Sequence, residues 1–176
     1  MTSRAQHVAK WAILALLVVV VAQVTFFQAS PHVRGPAPVL ALTDLRGTKV
    51  DLSAYRGKAV AVNFWASWCE PCRAELPDLV QVREDHKSDC FEMLGVAVNS
   101  GETADVAAFA QKHGITYPVL LDDDATSERW HVEGLPTTFL IDPKGNVTFS
   151  YSGALSRGRL ERELKPLIPP RVGAGC

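Results

Sequence analysis

Cys69 and Cys72 stand three apart in the run Trp68-Cys69-Glu70-Pro71-Cys72. Two thiols at that spacing can close and reopen a disulfide with each other, or hold half of a metal site. Their surroundings favour the first chemistry. Residues 59 to 64, Ala-Val-Ala-Val-Asn-Phe, are short and almost wholly apolar, as a central strand buried on both faces should be. Beyond the pair, Leu76, Leu79, Val80 and Arg83 recur at helical spacing to about Asp85, with Pro77 expected to bend the helix. The first sulfur therefore opens a helix, where unpaired backbone N–H groups and the positive end of the helix dipole favour a thiolate. A thiolate is the species that attacks a disulfide, so Cys69 is the expected nucleophile. Cys72, one turn on and facing inward, is placed to attack the resulting mixed disulfide and release the reduced partner.

Three other chemistries compete for these residues. A structural disulfide seldom closes so short a loop at a helix start. Zinc is suggested by Cys69, Cys72, His86 and Cys90, which form C-x2-C-x13-H-x3-C. A helix through 72 to 86 would hold His86 roughly 21 Å from Cys72, beyond ligand reach, so no metal site is expected. A peroxide-reducing cysteine would suit a hairpin ahead of the core strand but not a Trp-Cys-x-x-Cys setting.

The elements that must position the pair follow from punctuation and period. Val39, Leu40 and Leu42, a turn at Arg46-Gly47, then Val50 and Leu52 read as a hairpin placed before the main sheet. Met93 to Val98 reads as the next buried strand, Ala104 to His113 as a helix, Tyr117 to Leu121 as a strand and Ala125 to Trp130 as a short helix. Thr138 to Ile141 and Val147 to Tyr151 flank Asp142-Pro143-Lys144-Gly145-Asn146, a turn joining antiparallel strands. The last helix takes Ser156 as its cap and buries Leu160, Leu164 and Leu167. Strands alternating with helices and ending in a hairpin predict an α/β fold, a mixed sheet with helices on both faces. A polar Asn63 in the central strand needs a reason. Asp122, Asp123 and Asp124 lack calcium-loop spacing and read as a solvated turn. Cys90 and Cys176 can pair in an oxidising compartment, or Cys176 can stay free.

Composition bounds the partners. The chain has 176 residues, 47% apolar and 21% charged, with 18 basic and 19 acidic residues. That is one domain with some forty residues to spare, neither disordered nor built to bind nucleic acid. The spare residues sit at the N-terminus. No charge occurs from Trp11 to Pro31, a length that reaches the roughly 20 residues a membrane helix needs, and Arg4 and Lys10 precede it. Gln23, Thr25 and Gln28 weaken its far end. The expected organisation is a cytoplasmic N-terminus (1–10), a transmembrane signal anchor (11–29), a proline-rich linker (30–38), a folded domain (39–168) and a tail (169–176). A cleaved signal peptide is the rival, with a poor cleavage site because Phe27 stands third before a cut at Ala29. Either reading exports the domain.

The run Asn63-Phe64-Trp65-Ala66-Ser67-Trp68-Cys69-Glu70-Pro71-Cys72, with Pro77 beyond it and Gly134-Leu135-Pro136-Thr137-Thr138-Phe139-Leu140-Ile141-Asp142 downstream, resembles the thioredoxin superfamily. The likeness covers about residues 38 to 168. Within the superfamily the chain is similar to membrane-anchored TlpA/ResA-like thiol-disulfide oxidoreductases, relatives of the CcmG (DsbE) proteins of cytochrome c maturation. The leading hairpin and the helix and strand between Ala104 and Leu121 are what that branch adds to a minimal thioredoxin-like sheet. Leu135-Pro136-Thr137-Thr138 departs from the Val-Pro-Glu-Thr typical of CcmG and favours the TlpA/ResA side.

The resemblance implies roles. Pro136 matches a cis-proline whose loop packs beside the cysteines, and Leu135 before it can offer backbone groups to an extended substrate segment. Trp68, Glu70, Pro71, Leu135, Pro136 and Thr137 are then the substrate-binding residues, with Trp68 an exposed apolar platform and Trp65 support beneath. Asn63 stands where ordinary thioredoxins carry a buried aspartate, and Glu75, three residues after Cys72, matches a glutamate of ResA-like proteins. Glu75 is accordingly expected to handle the proton of Cys72, with a raised pKa if buried. The implied enzyme exchanges dithiol and disulfide with exported proteins and needs no cofactor. It works in the reducing direction on apocytochrome c or copper-site cysteines, recharged by a transmembrane electron donor of the CcdA/DsbD type. A disulfide-donating oxidase and a non-catalytic binding module are the alternatives.

Overall fold

The apolar run from Ala59 forms the middle of an eight-stranded sheet, every residue of it buried. The computed structural model describes residues 10–11, 34–170 and 176. The strands are β1 (Gly35–Pro36), β2 (Ala41–Asp44), β3 (Lys49–Asp51), β4 (Ala59–Trp65), β5 (Phe91–Ala97), β6 (Val119–Leu121), β7 (Thr137–Ile141) and β8 (Asn146–Ser152). The helices are α1 (Glu70–Asp85), α2 (Thr103–Lys112), α3 (Ala125–Arg129) and α4 (Arg157–Leu164). Their order across the sheet is β1-β8-β7-β4-β5-β6-β2-β3. β4 runs parallel to β5, and β5 to β6, while β4 pairs antiparallel with β7. The parallel pairs need crossovers, which α1 and α2 provide. The result is the expected thioredoxin-like mixed fold, with the leading hairpin formed by β2 and β3.

Alternation along β4 and β5 divides the core. Val60, Val62, Phe64, Leu94 and Val96 face Leu40, Leu52 and Trp130, whose ring packs 5.0 Å from that of Phe139. Ala59, Ala61 and Met93 face Leu79 and Val82 of α1 and Leu160 and Leu164 of α4. Trp65 continues that second face, stacked on Phe109 of α2 at 5.1 Å.

Gly95 lies opposite Asn63 in the parallel register. A Cβ there would stand 2.8 Å from Trp65 Nε1 and 3.1 Å from Tyr117 Cε2. Both neighbours are buried rings held by the sheet, so neither moves cheaply. Gly95→Ala is expected to lose about 1–3 kcal/mol of stability, read as a lowered denaturant midpoint. A midpoint equal to that of the parent would show that the rings yield freely.

Some details differ from the sequence reading. The segment read as linker contributes β1, where Gly35 and Pro36 pair with Val147 and Asn146 at the sheet edge. Proline fits there because an edge strand leaves an N–H unused. Ser156 precedes α4 but makes no capping bond with its side chain. Instead Asp78 Oδ2 accepts from Arg157 N at 2.8 Å, and Leu167 is only half-buried. α1 continues through Pro77 to Asp85 as one helix.

Cys90 is disulfide-bonded to Cys176. Both nitrogens of His86 meet carboxylates, Asp89 at 2.7 Å and Glu161 at 3.0 Å. Burial pulls the His86 pKa down, but the hydrogen bonds that Glu161 and Asp89 accept from it outweigh burial and hold the imidazole above its ordinary value. The residues of the zinc-like spacing are thus occupied separately.

Among the described residues no helix is long and apolar enough to cross a membrane. The anchor read at 11–29 and the N-terminus at 1–10 lie outside the described residues, apart from the helical Lys10 and Trp11.

Candidate active site

The carboxyl end of the central strand β4 leads through Ala66 to Trp68, and Cys69 caps α1. Cys69 Sγ accepts from the Cys72 N–H at 3.3 Å, so a sulfur occupies the place where a side-chain oxygen usually satisfies an orphan donor. Pro71 in the first turn costs no hydrogen bond there. Cys69 and Cys72 are joined in a disulfide, with Cα atoms 5.3 Å apart. Cys69 retains 5% exposure and Cys72 none. Of the two sulfurs, only that of the first cysteine belongs to a residue with any exposed surface.

Two loops frame the pair. The Leu135–Pro136 peptide is cis, as the resemblance implied, with Leu135 packed in the same cluster as Cys69 and Cys72. Thr137 is buried, its hydroxyl donating to Gly134 O at 2.7 Å, so it fixes the loop from within and offers little surface to a partner. On the other side Trp68 is 63% exposed, yet its Nε1 donates to Asn99 O at 2.9 Å. Ser67 N donates to Ser100 Oγ at 3.1 Å, which ties the same two loops again. Asn99 takes a positive φ of 44°, a conformation that suits asparagine better than most residues. Trp68, Cys69, Glu70, Pro71, Val98, Asn99 and the segment 132–135 line an open groove of about 480 Å³. Of the six residues read as substrate-binding, Trp68, Glu70, Pro71 and Leu135 line this groove. Pro136 and Thr137 are buried beside it.

Glu75, three residues after Cys72 in α1, is 3% exposed. Its Oε1 accepts from Asn63 Nδ2 at 2.9 Å and its Oε2 from Leu155 N at 2.8 Å. Burial pushes its pKa up to about 7, against the pull of the Leu155 and Asn63 hydrogen bonds and with added repulsion from Asp78. A carboxyl at that value titrates near neutrality. Asn63 also donates to Thr138 Oγ1 at 2.9 Å, which ties β4, β7 and α1 in one network and supplies the reason for a polar residue there. The Tyr117 phenol is buried close enough that burial first, and the Glu75 charge second, raise its pKa. Among the described residues its hydroxyl, Asn63 Oδ1 and Trp65 Nε1 have no hydrogen-bond partner. Leu155 and Tyr117 were not singled out from the sequence, because a backbone donor and a tyrosine ahead of a strand carry no pattern of their own.

Glu70 forms an ion pair with Arg73, whose Nη1 also donates to Ser67 O at 3.3 Å. The helix start therefore holds no unengaged cation from Arg73.

Known proteins agree with this chemistry. Residues 33–150 match the AhpC/TSA family. The thiol-disulfide oxidoreductase ResA of Geobacillus kaustophilus is 41% identical over 135 residues, 76% of this chain and 76% of that protein. ResA of Bacillus subtilis is 37% identical over 140 residues, 79% of this chain and 77% of that protein. A thiol:disulfide interchange protein of the thioredoxin family from Chlorobium tepidum, known from its crystal structure, has a TM-score of 0.70 at 34% identity, covering 76% of this chain and 96% of its own. With a redox-ready cysteine pair capping α1 and these relatives spanning three quarters of its length, the chain belongs to the AhpC/TSA family as a ResA-like thiol-disulfide oxidoreductase of thioredoxin-like fold.

Proposed function

We propose that the chain is a membrane-anchored, extracytoplasmic reductant of protein disulfides. The observation that carries the direction is the charge around the pair. Glu75 is buried three residues beyond Cys72, and Glu70, directly after Cys69, cancels the guanidinium of Arg73 in an ion pair, so that turn leaves no uncompensated side-chain cation to hold a thiolate. The Glu75 carboxylate works against the pull of the helix start toward a thiolate, and the less a thiolate is stabilised the more firmly the pair holds its disulfide. Such a pair has a low reduction potential and gives electrons away.

Export is supported by the uncharged stretch from Trp11 to Pro31 behind Arg4 and Lys10. The Cys90–Cys176 bond adds to it, since structural disulfides persist in oxidising compartments. A reductant there must be recharged, which calls for a transmembrane donor of the CcdA/DsbD type. Its substrates, by family resemblance, are the cysteines of apocytochrome c or of copper sites in oxidase assembly. Pro136 and Leu135 present the partner's segment to Cys69, Trp68 packs on it, and Glu75 exchanges the proton of Cys72.

The test is the midpoint potential of Cys69 and Cys72 in the intact chain, read by alkylation and mass mapping across thiol–disulfide buffers. A value near or below about −270 mV is expected. A value near about −120 mV would make the chain a disulfide donor and overturn the reducing assignment.

A further inference from the structure

β4, β5 and β6 all end, and β7 begins, at the pole that carries Cys69. The segments emerging there, 66–73, 98–106 and 122–136, contain eight carboxylates (Glu70, Glu102, Asp105, Asp122 to Asp124, Glu128 and Glu133) against two guanidiniums. The whole chain is nearly neutral at −1, whereas these segments carry eight acidic residues against two basic ones, so acid is concentrated on this pole. Both guanidiniums are held in place, and together they offset only two of the eight carboxylates. Arg73 pairs with Glu70, and Arg129 Nη1 donates to Val39 O at 3.1 Å and to Thr126 Oγ1 at 3.3 Å. Among the described residues Glu70 is the one carboxylate of the eight in an ion pair.

The groove opens into this field. Its charged walls are Glu70 and Glu133, with no basic residue, and its apolar walls are Trp68, Val98, Val132 and Leu135. A cleft lined by one sign of charge focuses its potential, raises the local concentration of the opposite charge and speeds encounter by about 10- to 10³-fold. It also repels like-charged partners.

We propose that this pole is a docking surface for extended, positively charged polypeptide segments, and that Glu133 with its acidic neighbours selects disulfides flanked by lysine or arginine. In the docked complex an apolar side chain beside the partner's cysteine lies between Trp68 and Leu135, and a flanking cation meets Glu133. The proposal rests on the reading of the chain as a protein-disulfide reductase and adds the class of substrate.

The experiment uses the intact, reduced chain and three probes: a disulfide-bridged peptide with flanking lysines, the same peptide with glutamates, and neutral hydroxyethyl disulfide. At low ionic strength the lysine peptide is expected to react at least about tenfold faster than the glutamate peptide, with the gap closing at high salt. Asp124, Glu128 and Glu133 make no side-chain hydrogen bond among the described residues, so a D124N/E128Q/E133Q variant should keep the fold. It is expected to shrink the ratio of the two peptide rates severalfold. Equal rates for both peptides, or a faster glutamate peptide, alongside reduction of hydroxyethyl disulfide would overturn the charge selection and leave the reductase standing. Failure with all three probes would remove the reductase and the selection together.

Discussion

Replacing Cys72 with serine is expected to turn a catalyst into a trap. In the exchange proposed above, the Cys69 thiolate attacks a partner's disulfide, a bond forms between Cys69 Sγ and one partner sulfur, and the other partner sulfur leaves as a thiolate. Cys72 then gives up its proton and attacks Cys69 Sγ, which restores the internal disulfide and releases the partner reduced by two electrons. The two Cα atoms are only 5.3 Å apart, so this second attack is intramolecular and has a large effective concentration. Serine cannot perform it. Turnover should therefore fall on the order of 10³-fold or more, while a covalent complex through Cys69 accumulates and dissolves on adding dithiothreitol. Mass spectrometry of the trapped species would identify the partner as well as the bond. Cys69→Ser should yield no complex, because Cys72 is fully buried under the helix start. A Cys72→Ser protein that turned over normally, or that trapped nothing, would contradict the assigned order of attack.

The parts of this site that were legible in the sequence are those written in local pattern. β4 shows as an apolar run, α1 as a helical period opening on Cys69, and the hairpin strands β7 and β8 as two runs around Asp142-Pro143-Lys144-Gly145-Asn146. The cis bond before Pro136 was readable only through the family motif, since an isolated Leu-Pro pair is ordinarily trans. What escaped depends on contacts between residues far apart. The Leu155 N–H reaches Glu75 across 80 positions, and nothing in a leucine announces a donor. Ser67 and Ser100 bind across 33 positions, and serine is too common in loops for that pairing to stand out. β1 was hidden because Gly35 and Pro36 are residues of linkers, and only the exposed edge of β8 makes a strand of them. The bond from Cys90 to Cys176 was one of two open outcomes, as spacing alone does not decide connectivity.

Glu75→Gln is expected to change both the stability and the chemistry of the protein around neutral pH, in opposite senses. In the unfolded chain Glu75 ionises near its ordinary 4.5, and in the fold near 7, because burial disfavours the charged form. Below about pH 4.5 both states hold the proton and the carboxyl carries no penalty. As pH rises the unfolded chain ionises first, so stability drains away through the window from 4.5 to 7 and the loss is complete above it. At about 1.4 kcal/mol per pH unit, that loss comes to about 3 kcal/mol. Glutamine does not titrate. With Asn63 turned over, its Nε2 can donate to the unpartnered Asn63 Oδ1 while its Oε1 accepts from Leu155. The variant should therefore match the parent near pH 4 and exceed it by about 3 kcal/mol above pH 7, in denaturant titrations of the oxidised form. The chemistry moves the other way. Cys72 is fully buried, and a carboxyl one helical turn away that titrates near pH 7 is suited to take its proton. Without it, resolution of the mixed disulfide should slow on the order of 10²-fold, and the inflection near pH 7 in its rate should vanish. Asp78 and Tyr117 also face this carboxyl, so Asp78→Asn serves as the control: relief of its repulsion should move the inflection to lower pH without removing it. A Glu75→Gln protein that gained stability above pH 7 but kept the parent's rate profile would leave the carboxyl as a buried cost and deny it the proton. A polar group that costs stability in the resting fold is retained most readily where the reaction uses it, and these two measurements separate the cost from the use.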